Sequence, residues 1–126
     1  MDLTKNQLKN ALALNTVTSQ KICYVVSLDE LELINTNLSS FLAIVNNQPS
    51  WVSKGHWTLA YKINSDLLAY YDPLCLNIKE EMIHFMTNCS TNVITSNLMT
   101  QSFMSNICGY LCLYMSAKLV EEQDLE

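Results

Sequence analysis

Cys108 is followed by Gly109 and preceded, seven positions earlier, by Gln101; His56 lies between Gly55 and Trp57; Asp72 sits in Tyr70-Tyr71-Asp72-Pro73. These residue types together suit thiol chemistry: a nucleophile, a base, a carboxylate to orient the base, and an amide to hold an oxyanion. A thiol attacks as its thiolate, a form favoured at a helix N-terminus and beside an imidazolium. Cys108 opens the last apolar stretch of the chain, which gives it the first condition, and His56 is the candidate for the second. Asp72 could accept the other ring N–H, with Pro73 favouring extended backbone before it. The backbone N–H of Cys108 and the Gln101 side-chain amide are the candidate oxyanion donors. Gly55 and Gly109, the only two glycines, both flank these motifs. Gly109 is expected to permit close approach of a substrate backbone.

These groups must be positioned by secondary structure. Thr4-x-x-Gln7 is a capping-box pattern ahead of Leu8, Ala11 and Leu12, so residues 5–14 are expected to be a short amphipathic helix. Residues 22–26 and 41–45 are β-branched, aromatic or apolar and predict strands, with Ser27-x-x-Glu30 capping a turn or two between them. Residues 57–63 and 67–72 predict a hairpin about the turn triplet Asn64-Ser65-Asp66. The 16-residue step from His56 to Asp72 then places the two side by side at one end of neighbouring antiparallel strands. Asn77 is expected to cap a helix reaching Asn88, with Glu80 and Glu81 in its first turn. Residues 92–95 predict a short strand, and 96–106 a polar irregular segment. Residues 108–120 are apolar nearly all round and predict a largely buried helix. The expected fold class is α+β: a single domain over residues 1–126, with a mostly antiparallel central sheet flanked by helices.

Composition narrows the function classes. The 126-residue chain is 49% hydrophobic and 15% charged, enough apolar content for one real core. Its apolar runs, residues 67–71 and 110–115, are far short of the roughly twenty needed to span a bilayer. The first residues lack the pattern of a secretory signal, so an intracellular location is expected. A net charge of −5 without a Lys/Arg run argues against a nucleic-acid surface and suits basic partners. Five cysteines without a Cys-x-x-Cys pair fit reduced thiols, and no metal site is expected.

The order His, Asp, Cys is the reverse of the papain arrangement and points to a different topology. Gly55-His56-Trp57, an aromatic strand ending in Asp72-Pro73, and Gln101 ahead of Cys108-Gly109 resemble the adenovirus-type (adenain-like) and SUMO-protease-type cysteine peptidases. The likeness extends to Gln7-Leu8-Lys9, Ala43-Ile44-Val45-Asn46 and Cys108-Gly109-Tyr110-Leu111-Cys112, nearly the whole chain, and looks like a minimal version of the fold. The resemblance implies His56 as base, Asp72 as orienter, Cys108 as nucleophile, Gln101 as oxyanion donor and Trp57 as a wall of a narrow site. It implies a protein or peptide substrate with glycine near the scissile bond, without a cofactor. It further implies viral precursors as targets, a place in the host nucleus or cytoplasm or in the virion, and a peptide activator; the acidic balance argues against DNA in that role.

Other readings of the same residues are removal of ubiquitin-like modifiers, acyl transfer, and a binding module on an inactive fold. The blander reading of Cys112 is core packing rather than half of a metal pair. Cys23, Cys75 and His84 read as structural. Cys89 stands near a position where the adenovirus enzymes hold an activator-bonding cysteine. Met99 and Met104 flank Gln101 and could line a groove.

Overall fold

Five strands alternate their side chains between two apolar layers: β1 (Cys23–Ser27), β2 (Phe41–Asn46), β3 (Trp57–Asn64), β4 (Leu67–Tyr71) and β5 (Asn92–Thr95). They form one sheet in chain order. The computed structural model describes residues 3–52, 55–95 and 108–124. Helices α1 (Lys5–Leu14) and α3 (Cys108–Asp124) belong to one face and α2 (Glu80–Cys89) to the other.

The period of two along a strand explains the layering. Trp57, Leu59, Tyr61 and Tyr71 share a core with Leu8 and Leu12 of α1 and with Cys108, Cys112 and Val120 of α3. Ala60, Leu68 and Tyr70 face the other way, onto Met82, Phe85 and Met86 of α2. Residues 41–45 of β2 are buried at every position, because apolar layers cover both faces there.

The α+β class and most boundaries match the sequence expectation. The α1 helix starts at its expected residue, with the Thr4 hydroxyl accepting from the Gln7 N–H and the Gln7 side chain accepting from the Thr4 N–H. Ser27 and Glu30 form the second capping box, on a 3-10 turn at Leu28–Leu33. Three details differ. The central pairs β2–β3 and β3–β4 are antiparallel, but the outer pairs β1–β2 and β4–β5 are parallel. Each parallel pair needs a crossover, and the two connections, through the Leu28–Leu33 turn and through α2, pack into the same core.

The second difference is the start of α2. Lys79, not Asn77, is its N-cap and makes no side-chain cap bond; Ile78 is drawn against the core ahead of the first turn. Third, α3 is not buried all round. Cys108, Cys112, Ser116 and Val120 form the buried stripe, while Tyr110 and Tyr114 are 52% and 61% exposed. Residues four apart share one helix face, so a helix lying on a sheet buries one stripe.

Leu59 joins the middle strand to the α3 layer and is fully buried. Replacing it with Ala should cost about 2–5 kcal/mol through lost transfer energy and the cavity left behind. Urea denaturation measures this as a lower midpoint at an unchanged slope.

Candidate active site

The site lies where the central hairpin ends and α3 begins. His56 immediately precedes β3 and Asp72 immediately follows β4, and Leu59 pairs with Tyr71, so the two residues emerge at the same end of the hairpin. Nε2 of His56 is hydrogen-bonded to Oδ1 of Asp72, and both side chains are buried. The side-by-side placement expected from their spacing is found.

The backbone around His56 is fixed by a neighbouring loop. Its N–H donates to Asn47 Oδ1 at 3.0 Å and its carbonyl accepts from the Asn47 N–H at 2.9 Å. Next to it, a Cβ on Gly55 would stand 1.9 Å from Asn46 Oδ1. A side chain there would have to displace the Asn46 amide, whose Oδ1 accepts the Gln48 N–H at 2.9 Å.

Asp72 is held by its own turn. Leu74 N–H donates to Oδ1 at 2.9 Å and Leu76 N–H to Oδ2 at 3.2 Å, so amides meet both carboxylate oxygens. Cys75 N–H closes the turn on the Asp72 carbonyl at 3.0 Å. Cys75 takes a φ of 51°, the left-handed region, which a non-glycine residue enters only when its surroundings hold it there. Pro73 and the Asx-type bonding of Asp72 are the local signals for this turn.

Cys108 is the first residue of α3 and is 4% exposed. Its Sγ accepts the Trp57 N–H at 3.4 Å, and the Cys112 thiol donates to the Trp57 carbonyl at 3.4 Å. The peptide group of the residue after His56 thus fixes the nucleophile candidate. Burial alone would raise the Cys108 pKa, but hydrogen bonds from His56 and the Trp57 N–H, with the imidazolium charge, bring it below the ordinary thiol value of 9.0. Burial likewise works against a charged His56; the Asp72 bond and the Cys108 partner outweigh it and lift His56 to about 9. The favoured state is a thiolate beside an imidazolium. The other affected thiols go the opposite way: burial pushes Cys23 and Cys89 up to about 11 and Cys112 well above 9.0.

The structure therefore brings together His56, Asp72, Cys108 and Trp57. Gly109 is beside them; a Cβ there would lie 3.2 Å from Leu3 Cβ and Cδ1 and 3.4 Å from Trp57 Cδ1, so Leu3 and Trp57 crowd that position. Gln101, Met99 and Met104 lie outside the described residues. Among the described residues, no three His, Cys, Asp or Glu side chains gather in a metal-sized cluster. A surface cleft of about 520 Å³ between the Leu28–Leu33 turn and α2 is lined by Phe85, which faces the other core, and is not part of this site. Sequence reasoning missed Asn47, the two turn amides on Asp72, and Leu3. Of these, only the turn carried a local signal.

These shifts set two pH limits. The stabilisation of His56 as a cation is fully present below its unfolded value near 6.5 and is lost as pH rises through about 9. The thiolate of Cys108 contributes above 9.0 and is lost as pH falls through its lowered folded value. Iodoacetamide should therefore modify Cys108 at a pH where Cys23 and Cys89 stay protonated, as peptide mass spectrometry measures. Asp72→Asn should lower the His56 pKa and move the acid limb of Cys108 alkylation upward. An unmoved limb would show that Asp72 does not sustain the ion pair.

Neither a protein-family model nor a curated protein sequence matches the chain. Among solved structures, the fold is similar to that of the ASFV pS273R protease, at a TM-score of 0.68 and 12% identity over 96% of this chain. The selenomethionine form of that protease gives the same TM-score and identity over 95%. The chain spans 58% of the length of that protease. At this identity the likeness is one of fold: the chain has the α+β architecture of a viral protease, with a sheet flanked by helices.

Proposed function

We propose that this chain is a cysteine endopeptidase in which Cys108 is the nucleophile, His56 the general base and acid, and Asp72 the orienter of the imidazole. The observation that carries this reading is the buried line Asp72–His56–Cys108, with its thiol lowered and its imidazole raised. The likeness in fold to a viral protease supports it.

In this reading the Cys108 Sγ thiolate attacks the substrate carbonyl carbon, and the carbonyl π electrons move to oxygen. The Cys108 N–H, which as a first-turn donor of α3 has no partner within its own helix, and the Gln101 amide receive that oxyanion. When the C–N bond breaks, His56 gives its proton to the leaving amine, and Cys108 keeps the acyl group as a thioester. His56 then takes a proton from water, whose oxygen attacks the thioester and releases the acid and the thiolate. Asp72 holds the ring by Nε2, so that the other ring nitrogen serves the sulfur. Trp57, fixed by its backbone to Cys108 and Cys112, is the wall beside the scissile bond.

The adenovirus-type and SUMO-protease-type resemblance extends the proposal to substrates with glycine next to the cleaved bond, in viral precursor proteins, and to a peptide activator. The net charge of −5 favours substrates or activators with basic segments.

Cys108→Ala should abolish cleavage of a glycine-containing fluorogenic peptide while leaving the circular dichroism spectrum unchanged, since removing a nucleophile costs about 10⁶ in rate. Cleavage near the parent rate would rule the mechanism out. Gln101→Ala should retain a slow enzyme, down roughly 10²–10³ in kcat. Full activity would remove Gln101 from the oxyanion site.

A further inference from the structure

Ahead of α1, one residue touches both halves of the site. The Leu3 carbonyl accepts the Trp57 Nε1–H at 3.0 Å. The Leu3 side chain crowds the position that a Cβ on Gly109 would take, with two of its carbons 3.2 Å from that point. It packs on the core that contains Trp57, Cys108 and Leu8. Trp57 in turn gives its backbone N–H to Cys108 Sγ. Leu3 therefore links Trp57, the residue after His56, to the helix that carries Cys108.

The capping box explains why Leu3 can do this. Thr4 is the N-cap of α1, so Leu3 occupies the position before it, where an apolar residue packs against the fourth helical residue, here Leu8. That staple fixes the angle at which the chain enters α1 and holds the Leu3 carbonyl and side chain toward Trp57 and Gly109. Two independent contacts result: a polar one that orients the indole, and a steric one that makes any side chain at the second residue of α3 a tight fit.

We propose that Leu3 is a positioning residue of the active site, clamping Trp57 to the first turn of α3 so that the Trp57 N–H and the His56 ring stay aimed at Cys108. In this view Gly109 is a glycine because Leu3 occupies its side-chain space, not because substrate passes there. The proposal rests on the reading of Cys108 as the activated thiol, and deepens it by naming what holds that thiol in register.

The test is a set of four proteins: the parent chain, Gly109→Ala, Leu3→Gly, and the double variant L3G/G109A. The readout is the rate of Cys108 carboxamidomethylation by iodoacetamide across pH, followed by mass spectrometry. Each single variant should move the acid limb upward by about one unit, roughly tenfold less thiolate below the limb. The double variant should return toward the parent, because the new methyl on residue 109 takes the space that Leu3 leaves. Leu59→Ala, which destabilises the same layer without touching this clamp, should leave the limb in place. If Gly109→Ala does not fold, the double variant should recover both fold and alkylation.

The proposal is overturned if the limb stays fixed in Leu3→Gly, if L3G/G109A is no better than Gly109→Ala, or if Leu59→Ala moves the limb equally. Because the readout is the protein's own thiol, these outcomes stand apart from the protease reading. That reading fails separately, when the parent alkylates selectively at Cys108 yet cleaves no peptide.

Discussion

Everything in the site is referred to the peptide unit of Trp57. Its N–H meets Cys108 Sγ, its carbonyl meets the Cys112 thiol, and its indole N–H meets the Leu3 carbonyl. A strand residue at the end of a sheet has backbone groups left over from the ladder, and buried groups of this kind must find partners. Here the partners are the buried stripe of α3 and the segment ahead of α1. Sulfur bonds of this sort are individually weak, so their weight lies in geometry: two thiols one helical turn apart bracket the backbone N–H and carbonyl of one residue and tie α3 to the sheet at that point. With α3 so placed, Cys108 is set beside the His56 ring.

The charge arrangement follows from the same scaffold. A buried thiolate or imidazolium alone would be expelled by its desolvation cost. Together, with Asp72 at one end and the Trp57 N–H at the other, each offsets the cost of its neighbour. Asp72 can serve because its turn places amides on both of its oxygens. The fold supplies this polarity asymmetrically. The site thiol is activated by its hydrogen-bonding and cationic neighbours, while Cys112, one turn along the same stripe, is pushed well above 9.0 by burial and by the negative charges of Cys108 and Asp72.

Much of this was legible in the sequence because it is local. The capping boxes at Thr4 and Ser27, the hairpin about Asn64-Ser65-Asp66, and the start of α3 at Cys108 are set by residues a few positions apart, whose periodicity or turn chemistry is visible. The nearness of His56 and Asp72 followed from the hairpin alone. What could not be read is non-local. A run of alternating side chains does not encode the direction of its neighbour, so the parallel β1–β2 and β4–β5 pairs were hidden. An all-apolar helix does not announce which stripe the sheet will cover. Leu3 carried no such signal, because what lies against it depends on Trp57 and on α3, far along the chain. Gly109 gave a glycine signal without saying which neighbour needed the space.

The distances along the chain carry a final consequence. His56 and Asp72 are 16 positions apart and are joined by a hairpin, whereas Trp57 and Cys108 are 51 apart and meet only through tertiary docking. Closing the longer loop has an entropic cost that only the assembled core repays. The acidity of Cys108 is therefore a property of the whole fold and has no local precursor: an unfolded or half-folded chain carries an ordinary thiol. Reactivity and structural integrity rise and fall together, so damage to the fold silences the thiol without any separate off-switch.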